Sequence, residues 1–300
     1  MKKIKLILIL FLTVITAYAQ NKTDRMYLAN ETKDVIVEAV ESNIIKYRHA
    51  NENTVYSISK NMVDKIVFAS GREEKFESNF KQVKGLKDYE KVYITYVPQD
   101  IEGLTAKGQV FSKATGVTTL SSINNVTNRA VRKVKMEAAM LGANVVFVGN
   151  TFQRGNQYGN ENIPGNATMT SISGTAYSTA PKLQHMERIK SEVENGKFVL
   201  LATEQLNRNA FDSKSSIQNL YDKNGNLAFI RFQVREENGQ LLLSSKDHKF
   251  KTQELRLLSA ENDTITLVEQ SNNTIYNYVL LGENEPRIVQ IQAIQERKNN

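Results

Sequence analysis

The sequence predicts a mainly β, multi-domain chain built from antiparallel sheets, with an α+β domain in the middle and one well-defined helix at about 122–141. Three observations lead there. Short β-branched and aromatic runs, separated by Asn, Asp and Gly clusters, recur through both ends of the chain. One long stretch alone keeps a helical period: Ile123, Val126, Ala130, Val134, Ala138 and Leu141 recur at three- or four-residue spacing. Finally, 300 residues without a single Cys must be held by ordinary hydrophobic cores, and that length allows two or three of them.

The first nineteen residues read as a cleaved secretory leader. Lys2, Lys3 and Lys5 form a positive start, Leu6 to Ile15 an apolar run, and Ala17-Tyr18-Ala19 a small-x-small cleavage pattern before Gln20. The run is shorter than the roughly 20 residues a bilayer crossing needs. The expected compartment is therefore the periplasm or the outside of the cell. Three of the 39 Lys and Arg lie in that leader, so the formal charge of +7 falls to about +4 in the mature chain, against 32 Asp and Glu. So weak a field argues against a nucleic-acid partner, which must be met by clustered cations. The absence of Cys excludes a lipid-modified N-terminus, thiolate metal sites, Cys nucleophiles and redox pairs.

Residues 20–88 are expected to form a small β-rich domain. Val35-Ile36-Val37, Ile44 to Tyr47, Tyr56-Ser57-Ile58 and Lys65 to Phe68 are its strands, with Glu41-Ser42-Asn43, Asn51-Glu52-Asn53 and Ser70-Gly71 as turns. Asp24 to Leu28, Val35 to Val40, Ile44 to Arg48 and Tyr56 to Gly71, with Tyr56 to Phe68 following Y-x-I-x-K-x-x-V-x-x-I-x-F, resemble a short domain of exported Gram-negative bacterial proteins. That resemblance implies a compartment and no activity.

Residues 89–181 are expected to be the α+β domain. Lys91 to Val97 makes a strand stopped by Pro98; Ser121 or Ser122 caps the helix, and Gly142 supplies the left-handed residue after it. Asn144 to Val148 reads as a buried strand and Met169 to Ser178 as a further one, with Gly174 at a bulge. Lys135 to Val146, containing A-x-x-x-G-A-N-x-V, and Gly174-Thr175-Ala176-Tyr177 are similar to the Rcs stress-sensing lipoprotein and the YbjQ-like envelope domains. The resemblance implies a fold. The sensing role of the Rcs lipoprotein depends on cysteines, which this chain lacks.

Residues 182–194 are expected to be a linker, in which Leu183, Met186, Ile189 and Val193 permit a helix. The region 195–300 is expected to be a sandwich or barrel of six to eight antiparallel strands with a short polar tail. Asn224-Gly225 and Asn238-Gly239 read as type I′ turns, and Glu261-Asn262-Asp263 and Ser271-Asn272-Asn273 as turn clusters. Ala228, Ile230, Phe232 and Val234 alternate, as do Val289, Ile291 and Ala293. Its strand order is similar to that of lipocalin-like bacterial domains.

Catalytic and metal signatures are sparse. His49, His185 and His248 have no metal-ligand spacing. Asp222 to Asn226 misplaces the glycine of a calcium loop and is better read as a turn. Ser57-Ile58-Ser59-Lys60 matches S-x-x-K, but it follows a strand where that chemistry needs a helix start. No phosphate or dinucleotide loop occurs, so no cofactor, metal or catalytic residue is expected. Two binding features stand out. Arg129, Arg132 and Lys133 are expected to share the solvent face of the helix, where they could hold a phosphate, acidic glycan or lipid headgroup. The stretch Gly149 to Asn166, with four Gly, five Asn and two Gln, is expected to be a loop presenting Phe152, Arg154 and Tyr158.

Together these features predict an exported, soluble envelope protein of binding or structural type. Its partner would be an anionic envelope component or another envelope protein, with no transmembrane anchor after cleavage. Two alternatives remain open from sequence: a glycan-acting hydrolase whose carboxylates converge only in the fold, and a C-terminal barrel holding a small apolar ligand.

Overall fold

The structure, a computed structural model, describes residues 23–29, 31–116, 121–162, 165–179, 186–210, 212–237, 239–246, 250–290 and 293. The expected leader, residues 1–19, lies outside these residues, as do Leu183, His185, Asn238, His248 and Ile291. The chain is mainly β and divides into two compact units, residues 1–79 with 99–103 and residues 80–98 with 104–300.

The first unit is one antiparallel sheet of β1 (Asp24–Leu28), β2 (Glu31–Val40), β3 (Ile44–Arg48), β4 (Tyr56–Ser59), β5 (Val63–Val67) and β6 (Glu73–Lys75), in the order β4-β3-β2-β1-β5-β6. Met26, Val35, Ile45, Tyr47, Ile58, Val63 and Ile66 form its core. Asp24, the aspartate that opens the resemblance, is a staple. Its carboxylate accepts the Val37 N–H at 2.8 Å, where β2 slips register, and the Ala69 N–H at 2.8 Å.

The second unit begins with β7 (Tyr93–Thr95), β8 (Thr105–Thr115), helix α1 (Ile123–Met140), β9 (Val145–Arg154) and β10 (Met169–Ser178). They form a four-stranded sheet, β7-β9-β10-β8, antiparallel except for the β7–β9 pair. Ser122 caps α1 by accepting the Asn125 N–H, and Gly142 follows the helix at φ 74°. Gly174 sits at a register shift, where a Cβ would lie 2.3 Å from the Phe147 carbonyl oxygen.

The expected loop from Gly149 is shorter than predicted, because β9 runs on to Arg154. Asn150, Phe152 and Arg154 pair with Ser173, Ser171 and Met169 of β10. The partner strand supplies ladder bonds that outweigh the poor strand propensity of Gly149 and Asn150.

Helix α2 (Met186–Asn195) then leads into β11 (Phe198–Asn207), β12 (Lys214–Ile217), β13 (Phe229–Ile230), β14 (Gln233–Glu237), β15 (Gln240–Ser244), β16 (Glu254–Glu261), β17 (Thr264–Ser271) and β18 (Thr274–Gly282). The antiparallel order is β12-β11-β18-β17-β16-β15-β14, and β13 returns to pair with β11. Residues 229–237 thus meet β11 at one end and β15 at the other, which closes the sheet into a barrel. Alternate side chains fill it, among them Phe198, Leu241, Leu243, Leu255, Leu267 and Leu280, while Ile189 and Val193 of α2 join the same core.

Two expectations about this region need correction. Residues 286–290 are helical, so Val289 lies on no strand. Pro286 occupies the first helical position, Glu285 accepts the Arg287 N–H at 2.8 Å, and Ile288 packs on Val199 and Leu281. The Asn224-Gly225 turn is not type I′, since only Gly225 has positive φ; the Asp222 carboxylate holds it by accepting the Asn224 and Asn226 N–H groups. The type I′ conformation occurs instead at Asn262-Asp263, with φ 50° and 55°.

The unit borders also differ from the expected 88 and 185. Residues 80–88 join the second unit, and the α+β region shares that unit with the barrel. Leu206, Val268 and Ile275, on the outside of the barrel, belong to the same core as Val134, Ala138 and Met140 of α1. Helix α1 is therefore covered on two sides, by the four-stranded sheet and by the barrel wall.

Candidate functional site

The cations of α1 are engaged within the fold. Arg129 donates to the Thr115 carbonyl at 3.1 Å. Arg132 pairs with Asp212 at 2.8 Å, donates to the Tyr89 hydroxyl at 3.1 Å and lies over the Tyr89 ring. Lys135 reaches the Glu90 carbonyl at 3.0 Å. Lys133 is not on the solvent face: it is 6% exposed and donates to the Arg208 carbonyl. Burial draws its pKa down from the usual lysine value. The helical period identified one covered face of α1; the second was invisible because its cover comes from the distant strands β11, β17 and β18.

One turn further on, sequence reasoning missed Glu137. It is fully buried, and its Oε2 accepts the Phe111 N–H at 2.9 Å while Oε1 has no hydrogen-bond partner among the described residues. Burial raises its pKa, partly offset by that N–H and by the charges of Arg208 and Lys133. The i,i+4 spacing of Lys133 and Glu137 on an otherwise apolar flank was the available signal.

A second surface collects Phe152 and Arg154 on the face of the four-stranded sheet turned away from α1. Strand alternation sends Val110, Ser112, Ile172 and Ala176 into the covered face and their neighbours outward. Three cross-sheet rows from β8 through β10 to β9 then read Phe111–Ser173–Asn150, Lys113–Ser171–Phe152 and Thr115–Met169–Arg154, with Gln109–Thr175–Phe147 beside them. Gln109 donates to Thr175 across the first pair of strands at 3.0 Å. Phe111 is 41% and Phe152 49% exposed, flanking a hydroxyl row, and none of these twelve residues is acidic.

Tyr158 is 76% exposed in the connection beyond β9. The fold thus brings Phe152 and Arg154 together with Phe111 and Lys113, and separates them from Arg132 and Lys133. Ring faces can stack against the C–H face of a sugar, Ser, Gln and Asn can bond its hydroxyls, and the two cations can meet a carboxylate or phosphate.

Among the described residues no group of His, Asp and Glu is arranged to hold a metal ion. Nor is any described helix long and apolar enough to cross a membrane. No family model, curated protein or solved structure matches this chain. Its class is that of a mainly β protein of antiparallel sheets.

Proposed function

We propose that this is an exported, soluble protein of the cell envelope, periplasmic or secreted, that acts by binding, and that the open face of its four-stranded sheet holds an anionic envelope glycan. The observation that carries the reading is the pair Phe111 and Phe152, half exposed on either side of Ser171 and Ser173 with Lys113 and Arg154 beside them. A flat, hydroxyl-lined platform flanked by rings suits a sugar, whereas a compact phosphate needs no exposed ring. The leader-like N-terminus and the resemblances to envelope domains support the compartment.

The test is retention of the mature chain on peptidoglycan and on lipopolysaccharide, beside a variant carrying F111A and F152A. The variant is expected to lose retention while keeping its thermal transition, since surface substitutions usually stay within about 0.5 kcal/mol each. Equal retention of both proteins would overturn the reading.

A further inference from the structure

A groove of about 1000 Å³ opens at the end of the barrel where the chain crosses from β13 to β14 and where residues 250–253 lead into β16. We infer that it binds a single-tailed anionic amphiphile, an acyl chain bearing a carboxylate or phosphate. This site is separate from the sheet face, and its argument is independent of the glycan reading.

Three features point there. The first is the floor. Phe232 and Phe250 belong to the barrel core, 3% and 8% exposed, and present their edges to the groove beside the half-buried Phe229, which gives it an apolar floor. Their ring centroids are 5.8 Å apart, and Phe250 stands edge-on to Tyr278 at 5.0 Å.

The second is charge. Among the described residues the charged ones of the lining are Arg231, Lys246 and Lys251, all exposed, and none is acidic. A carboxylate or phosphate head at the rim would be met by three cations, whereas a cationic head would be repelled.

The third is pre-organisation. The Lys251 N–H donates to Glu269 Oε2 at 3.2 Å, and the Tyr278 hydroxyl donates to the same oxygen at 2.8 Å. Glu269 and Tyr278 are 3% and 2% exposed. This buried pair fixes the backbone beneath Phe250, so the floor exists before a ligand arrives, which lowers the entropic cost of binding. Because side chains fill the barrel interior, the tail would lie along the aromatic floor and not inside the barrel. Its volume lies at the upper end of the range usual for small-molecule sites, roughly 300–1,000 Å³.

Titration calorimetry of the mature chain, residues 20–300, tests this with dodecanoate, dodecyl phosphate, dodecyltrimethylammonium and inorganic phosphate, each below micelle formation. The expected result is binding of one or both anionic amphiphiles, weakening as salt rises, with no binding of the cationic one. Preference for dodecanoate would assign the ligand to fatty carboxylates, and preference for dodecyl phosphate to phosphate-headed lipids. The variant R231Q/K246Q/K251Q should lose about tenfold or more in affinity, or roughly 1.4 kcal/mol, with an unchanged thermal transition. Equal binding of cation and anions would overturn the proposal. So would undiminished binding by the variant, or inorganic phosphate binding as tightly as its dodecyl ester. Retention of the F111A/F152A variant on glycan is a different measurement, so either reading can fail without the other.

Discussion

The side-chain amide of Asn277, on the outer wall of the barrel, donates to the carbonyl of Met140, the last residue of α1, at 2.9 Å. Arg256 adds bonds to the carbonyls of Leu141 and Lys107, both at 3.1 Å. Terminal helix carbonyls have no intrahelical donor, and a cation there also suits the negative end of the helix dipole. The barrel thus caps the helix of its neighbour. Replacing Asn277, which is 2% exposed, by Leu should leave that carbonyl unsatisfied. Loss of about 1–3 kcal/mol is expected in denaturant unfolding.

The same cap bears on fragments. A chain of residues 186–300 would expose Leu206, Val268 and Ile275 and leave Arg256 and Asn277 without their carbonyls. Its thermal transition is expected to fall clearly below that of the mature protein, or to give way to aggregation. A fragment as stable as the whole would show that the shared core contributes little.

Glu137 should leave a pH signature. Its folded pKa is raised above the ordinary glutamate value of 4.5, so between 4.5 and the folded value the native state holds more protons than the unfolded one. Its contribution to stability is therefore present below 4.5 and is lost as pH rises through the folded pKa. The melting temperature of wild type relative to E137Q should decline across that window. Parallel curves would refute it.

Substitution of Lys133 separates it from its neighbours. K133S should cost about 1–3 kcal/mol, because it strands the Arg208 carbonyl in a buried position. Arg129 is half-buried and donates to the Thr115 carbonyl at the edge of the sheet, so R129S should cost less, about 1 kcal/mol. Chemical denaturation of the two single variants measures the difference.

At Gly174 any side chain meets backbone, since the Cβ would approach the Phe147 oxygen to 2.3 Å. G174A is expected to cost about 1–3 kcal/mol through forced displacement of β9 against β10. In the other unit, D24A would release the Val37 and Ala69 N–H groups together, and limited proteolysis should cut residues 23–79 faster than in wild type.

Much of the local structure was legible in the sequence because its causes are local. The period from Ile123 to Leu141, the Ser122 cap and Gly142 set α1, and alternation at Ile230, Phe232 and Val234 set one barrel-facing row. Asn262-Asp263 made its hairpin turn through residues that tolerate positive φ. Tertiary structure alone decided what depends on a distant partner. The second cover over α1 turned Lys133 from a surface cation into a buried donor and gave Glu137 its raised pKa. Pairing with β10 extended β9 through Arg154, and packing of Ile288 on Val199 and Leu281 holds residues 286–290 as a helix, where Val289 was expected on a strand. The rows that put Phe111 beside Ser173, and the mouth that joins Arg231 to Lys251, unite residues far apart in sequence. Periodicity records which side of an element is apolar; it carries no information about which other element will cover it.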